Sequence, residues 1–198
     1  MIKYVSLGCN CSVSYHLMKL GLRKEGYPFD WCNTSYKNLI KVIKNDFKDY
    51  EKVVIKKFSD NHIFFDKDVN NIDDEKTNNG TYILKNGYGI SFAHELTDKN
   101  QDDINKFEEK IRRRIERFRE LKEENIIFIR IEINEKVDNY DELIETLDSK
   151  FHNYKIIIIG NIFDEKFSVN KKIEYYKLPE YKDWKYDDFN WNIICNKI

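Results

Sequence analysis

Two uninterrupted apolar runs, Ile126-Ile127-Phe128-Ile129 and Ile156-Ile157-Ile158-Ile159, limit what this chain can fold into more than any other feature. A strand with one face in water alternates apolar and polar side chains, so a run that is apolar at every position needs cover on both faces. Parallel strands joined by helices provide that cover. The intervening text agrees: a helix is expected near residues 140–151, and Ile173 to Leu178 follows as a further strand. At the N-terminus residues 2–7 read as a short strand, which Gly8 to Asn10 turn into a helix. Val13, Leu17 and Leu20 share one face of that helix before Gly21 ends it. The expected fold class is α/β, a single three-layer domain over residues 1–198 with a mainly parallel sheet covered by helices.

Between these elements, Leu39, Ile40, Ile43 and Phe47 predict a helix over roughly residues 35–47, and strand-like runs follow at 53–58 and 62–65. Residues 66–80 are almost wholly polar and read as a surface loop. Residues 81–85 and 88–93 form a hairpin pattern around Asn86-Gly87, whose second arm leads to His94. Ile104, Phe107, Ile111, Ile115, Phe118 and Leu121 step by three or four residues along a long amphipathic helix, with Asn100 and Asp103 suited to its start. Arg112, Arg113, Arg114, Arg117 and Arg119 interleave with Glu108, Glu109, Glu116 and Glu120, the pattern of a solvated, salt-bridged face.

Charge excludes some function classes. Lys plus Arg number 34 and Asp plus Glu 35, so no global field favours nucleic acid or an anionic membrane. No apolar stretch has the length of a signal peptide or a membrane span, and the expected location is cytoplasmic. Cys9, Cys11, Cys32 and Cys195 then read as thiols rather than a disulfide framework. Cys9, Cys11, Cys32 and His94 contain both zinc-ligand types, but no Cys-x-x-Cys pair is present and no metal is expected. Neither a Gly-x-Gly-x-x-Gly nor a P-loop motif occurs, so no nucleotide cofactor is expected.

In an open α/β sheet, ligands and reacting groups gather beyond the carboxyl ends of the strands. Cys11 stands there, in the first turn of the first helix with Asn10 as its N-cap, where orphan amides and the helix dipole are expected to lower a thiol pKa. His94, after the hairpin arm, is the candidate base for that thiol, and the backbone N–H groups of Asn10 to Ser12 are candidate oxyanion donors. Asn161, Glu132 and Asn134 follow later strands and are candidates to orient the imidazole; Asn161 is carried forward as the third member. Arg130 is a charge inside an apolar run, and either grips a substrate carboxylate or phosphate or pairs with an acid such as Glu132 or Asp30. Cys9 is expected to point into the core, His16 to sit on a helix surface, and the tail with Trp184, Tyr186, Phe189 and Trp191 to pack as a cover.

The segments Ser6-Leu7-Gly8-x-x-Cys11, Leu17, Leu20, Gly21-Leu22-Arg23 and Tyr27-Pro28-Phe29-Asp30-Trp31 together resemble the N-terminal signature of DUF1796, a bacterial and viral family described as papain-like cysteine peptidases. Phe92-Ala93-His94-Glu95 and Phe128-Ile129-Arg130 are similar to later blocks of that family. The resemblance implies that Cys11 is the family cysteine and His94 its partner, with Asp30 and Trp31 in the site or supporting it. It also implies a papain-like α+β fold, the alternative to the wound α/β sheet read from the strands. The function expected from both lines is a thiol hydrolase or transferase acting on an amide or ester of a peptide or small molecule. A sugar or nucleotide-sugar binding or transfer module, gripped by Arg130 or the tryptophan tail, is the competing expectation.

Overall fold

The structure is a computed structural model, and it describes residues 1–58, 81–93, 95–96, 100–133, 135, 137–161, 170–180 and 183–195. The expected strand at 62–65, the polar loop at 66–80 and His94 lie outside the described residues.

Four strands, β1 (Ile2–Ser6), β6 (Asn125–Glu132), β7 (Asn153–Gly160) and β8 (Ile173–Lys177), form one parallel sheet in the order β1-β6-β7-β8. Its register pairs Ile2 with Asn125, Asn125 with Asn153 and Ile156 with Ile173. The two apolar runs are its central strands, and the period of two divides each run between two cores. Ile126 and Phe128 face a cluster built from α2 (Tyr36–Lys44), α3 (Gln101–Glu120) and α4 (Asp141–Asp148), through Leu39, Ile43, Phe107, Ile111, Phe118 and Leu147. Ile127, Ile129 and Ile131 face Val13 and Leu17 of α1 (Ser12–Lys19) together with Tyr186, Trp191 and Ile194 of the tail. The parallel α/β sheet with cover on both faces is therefore present, and each fully buried Ile or Phe in it contributes on the order of 1.5–3 kcal/mol relative to exposure.

A second sheet was not anticipated. β2 (Cys32–Asn33), β5 (Ser91–Phe92), β4 (Thr81–Asn86) and β3 (Val53–Phe58) are antiparallel in the order β2-β5-β4-β3. Leu84 and Phe92 pair across it, as the hairpin pattern predicts, and both sides of the turn are closed by the Asn86 side chain, which accepts from the Tyr88 and Ile90 N–H groups. The arm before residue 94 thus belongs to this antiparallel sheet and not to the parallel one.

Helix ends follow local chemistry. Gly21, in the left-handed region, lets the Leu22 N–H return to the Leu17 carbonyl at 2.9 Å and closes α1. The Asn100 side chain accepts from the Asp102 and Asp103 N–H groups and opens α3. α2 stops at Lys44 rather than near residue 47, because Asp46 and Phe47 adopt positive φ and the Phe47 N–H turns back to the Val42 carbonyl. On α3 the pairs Arg112–Glu108, Arg113–Glu109 and Arg119–Glu116 form the expected exposed ion-paired face, but Arg114 turns inward and is buried. No helix among the described residues is long and apolar enough to cross a membrane.

Candidate functional site

β1 ends against β6, where the Leu7 N–H still donates to the Ile129 carbonyl, and the chain then bends sharply. Gly8 and Cys9 both take positive φ, 78° and 82°. For Cys9 that is a conformation seldom adopted by a residue with a Cβ. The bend sends the Cys9 side chain into the core beside Val13 and Ile131, as expected, and burial pushes its thiol up to about 12. Cys11 follows at the entrance to α1, half-buried.

The helix start differs from the expectation in two respects. The backbone cap is Cys11 itself, while the Asn10 side chain accepts from the Ser12 N–H at 2.9 Å. The Ser12 hydroxyl donates to the Trp184 carbonyl of the tail. Ser12 therefore has its N–H and its hydroxyl engaged inside the protein, and is not an open oxyanion donor; the Asn10 and Cys11 N–H groups remain the candidates. The second difference is electrostatic. Burial and then the Glu95 carboxylate raise the Cys11 thiol to about 11, whereas the helix dipole alone was expected to lower it.

Glu95, which follows His94 at the end of the hairpin arm, is a charged neighbour of Cys11. Its carboxylate is held by the Lys110 ammonium of α3, and its charge reaches Cys11. Cys32 is also within electrostatic reach of Cys11, buried, with its sulfur donating to the Phe29 carbonyl at 3.2 Å and its thiol raised by burial and by Cys11. The proposed partner His94 is adjacent to Glu95 in the chain but outside the described residues. Asn161 is exposed directly after β7, and β6 separates β7 from β1, so its strand end is two strands removed from that of Cys11.

Arg130, Asp30 and Trp31 had been candidate substrate contacts. Arg130 is fully buried, and its guanidinium is spent within the protein: Nε donates to Glu132 Oε1 at 2.6 Å, Nη1 to the Leu7 carbonyl at 3.0 Å, and Nη2 to the Thr34 carbonyl at 3.1 Å and to Glu135 Oε2 at 3.3 Å. Its acid partner is Glu132, assisted by Glu135, and not Asp30. Glu135 in turn accepts from the Tyr36 N–H at the start of α2. This cluster ties the ends of β1 and β6 to the segment that carries Cys32 and Thr34, so it positions the cysteine turn instead of gripping a substrate. It leaves the sugar-binding alternative with the tryptophan tail, and not Arg130, as its grip.

Asp30 is likewise buried and structural. It accepts from the Ser14 hydroxyl, the Arg23 Nε at 2.9 Å and the Tyr27 N–H at 3.0 Å, which clamps residues 23–30 onto α1. Trp31, at positive φ and half-buried, donates its N–H to the Ser14 hydroxyl. His16 is not on the surface: it is stacked on Trp191 at 4.0 Å between ring centres, and its Nε2–H donates to the Lys185 carbonyl. No group of three His, Cys, Asp or Glu side chains among the described residues is arranged to hold a metal ion. Glu135 and Lys110 carried no local signal, because only the packing of distant segments brings them to Arg130 and to Glu95.

The chain can now be set beside known proteins. No solved structure matches it. An uncharacterized protein of Acanthamoeba polyphaga mimivirus is 29% identical over 216 residues, with 96% of each chain covered. The family model described as "Putative papain-like cysteine peptidase (DUF1796)" matches residues 2–161, a span that begins with β1, contains Cys11, the Asp30 clamp and the Arg130 cluster, and ends just beyond β7. The chain belongs to the DUF1796 family.

Proposed function

We propose that the chain is an intracellular cysteine-dependent hydrolase or transferase that acts on an amide or ester of a peptide or small molecule, with Cys11 as nucleophile and His94 as its base. The observation that supports this most is the placement of Cys11: half-buried, at the carboxyl end of β1, at a helix entrance held from both sides by buried ionic clusters, and within the span matched by a cysteine peptidase family. A thiol raised to about 11 is neutral at rest, so the reaction needs a base that takes the proton as the sulfur attacks, and not a preformed thiolate. In this reading the sulfur bonds to the carbonyl carbon and the base passes the proton to the departing amine or alcohol. Water or a second acceptor then releases the acyl group. Asn161 is retained as a candidate for orienting the imidazole, with Glu95 as its competitor. No cofactor takes part.

The test is a panel of activated esters and aryl amides followed for a burst of leaving group, with mass spectrometry of the acylated chain. Acylation on Cys11, lost in Cys11→Ala and reduced at least about a hundredfold in His94→Ala, is the expected result. Turnover by the wild type that Cys11→Ala retains would overturn the reading.

A further inference from the structure

We infer that Arg23, Arg114 and Arg117 form, around Gly26, a binding site for an oxyanion group, a carboxylate or a phosphate, between the α1–β2 loop and α3. Arg114 is 7% exposed, and its Nη1 finds no hydrogen-bond partner among the described residues. A buried guanidinium nitrogen without an acceptor is costly, and such a group persists where it has a use. The structure also brings further cations to the same place. A Cβ at Gly26 would stand 3.0 Å from Arg114 Nε and 3.0 Å from Arg23 Nη2, so the two guanidinium groups lie no more than about 6 Å apart. Arg117 reaches the Gly26 carbonyl through Nη1 at 3.4 Å.

Three positive groups therefore ring one glycine, against few negative ones. Asp30 neutralises Arg23, Glu25, the other carboxylate in the loop, is engaged by Lys3 and by the Tyr27 hydroxyl, and the Glu124 charge acts on the neighbouring Tyr27. Arg114 and Arg117 have no ion-pair partner among the described residues, in contrast to Arg112, Arg113 and Arg119 on the same helix. The missing side chain at position 26 lets the two guanidinium groups close over bare backbone, where even a methyl group would be tight. Planar forks set this close together suit the paired oxygens of a carboxylate or phosphate. Arg23 and Arg117 are partly exposed and give access from solvent, while Arg114 forms the inner wall.

The site does not depend on cysteine chemistry, and its test is binding. The full chain is titrated with inorganic phosphate and, separately, with acetate at constant ionic strength, followed by calorimetry and by Tm. A saturable signal is expected from at least one anion, with a Tm rise of about 2–4 °C at roughly five times its Kd. Arg114→Met and Arg117→Gln should each weaken binding about tenfold or more, and Arg113→Gln on the exposed face should not. Should Arg114→Met fail to fold, Gly26→Ala provides the same test, because its methyl group would stand 3.0 Å from Arg114 Nε and from Arg23 Nη2 and displace both guanidinium groups. Cys11→Ser should bind like the wild type, which separates this site from the proposed acyl transfer. No saturable signal, or an equal response in all of these variants, would overturn the inference.

Discussion

Arg130 and Glu132, two residues apart on the same face of β6, bind each other at 2.6 Å with both side chains shut away from water. Removing a partner from such a pair leaves a buried charge uncompensated. Arg130→Met, which keeps the volume, is expected to cost about 3–5 kcal/mol, because it strands Glu132 beside Glu135 and frees the Leu7 and Thr34 carbonyls. Urea unfolding of the variant measures this directly. A loss under about 1 kcal/mol would mean that the cluster does not hold the site together.

The same cluster makes stability depend on pH in an unusual direction. Burial outweighs the pull of Arg130, and the adjacent Glu135 carboxylate adds to it, so Glu132 is raised to about 7. In the unfolded chain a glutamate titrates near about 4.3. Between those values the folded protein binds the proton more tightly, so the contribution of Glu132 to stability falls as pH rises from about 4.3 to about 7, and is constant beyond. Unfolding free energies of the wild type and Glu132→Gln, compared from pH 5 to 8, should show the wild type losing ground to the variant up to pH 7. A difference that is flat with pH rules this out.

Gly8 is expected to tolerate no side chain. Its φ is +78°, and a Cβ there would stand 2.5 Å from Thr34 Cγ2 and 3.2 Å from Cys32 Sγ. Gly8→Ala combines left-handed strain with overpacking and should cost about 2–4 kcal/mol. The clash falls on the contact that sets the cysteine turn against β2, so any Cys11-dependent activity should fall further than the stability loss alone explains. Denaturant midpoints together with the burst assay separate the two effects.

The parallel sheet was legible because burial on both faces leaves a trace in every residue of β6 and β7. The antiparallel sheet was half legible: Asn86-Gly87 announced its hairpin, but β2 and β5 are two residues each, too short for any period to register. The end of α2 was hidden for another reason, since Asp46 and Phe47 take a conformation that sequence normally marks with glycine. At the site, the pairing of Arg130 with Glu132 could be read from their spacing on a strand and the place of Glu95 from the end of the hairpin arm, whereas Glu135 arrives only through tertiary packing. The thiol of Cys11 was misjudged for the same reason. A local argument sees the helix dipole, but not the burial and the carboxylate that raise the thiol.

His16 provides a titration with the opposite sign. Stacking on Trp191 beneath the tail desolvates its ring and lowers its pKa, although the Lys185 carbonyl and Asp187 oppose the shift and Lys19 adds to it. The folded state therefore resists protonation below the unfolded value of about 6.5, and the stability that His16 contributes above that pH is lost as the pH falls. An NMR titration should place its midpoint below about 6.5. His16→Asn should lessen the acid sensitivity of the Trp191 environment, read by fluorescence quenching. A midpoint above 6.5 would mean that the tail does not cover this ring.

Glu95 and Cys11 give the sharpest test of the proposed chemistry, because it depends on the sign of one interaction. The carboxylate raises the thiol, so Glu95→Gln should lower the Cys11 pKa and speed its alkylation by iodoacetamide at pH 8, where the thiolate fraction limits the rate. The wild-type rate should still be rising with pH beyond about 9, since the thiol titrates near 11. Catalysis need not follow alkylation. If Glu95 serves only to set the resting thiol, the burst with activated esters should quicken in Glu95→Gln in step with alkylation; if it orients the base, the burst should slow while alkylation quickens. Alkylation that levels off below pH 8 in the wild type would show that the dipole prevails after all, and that Cys11 reacts as a preformed thiolate.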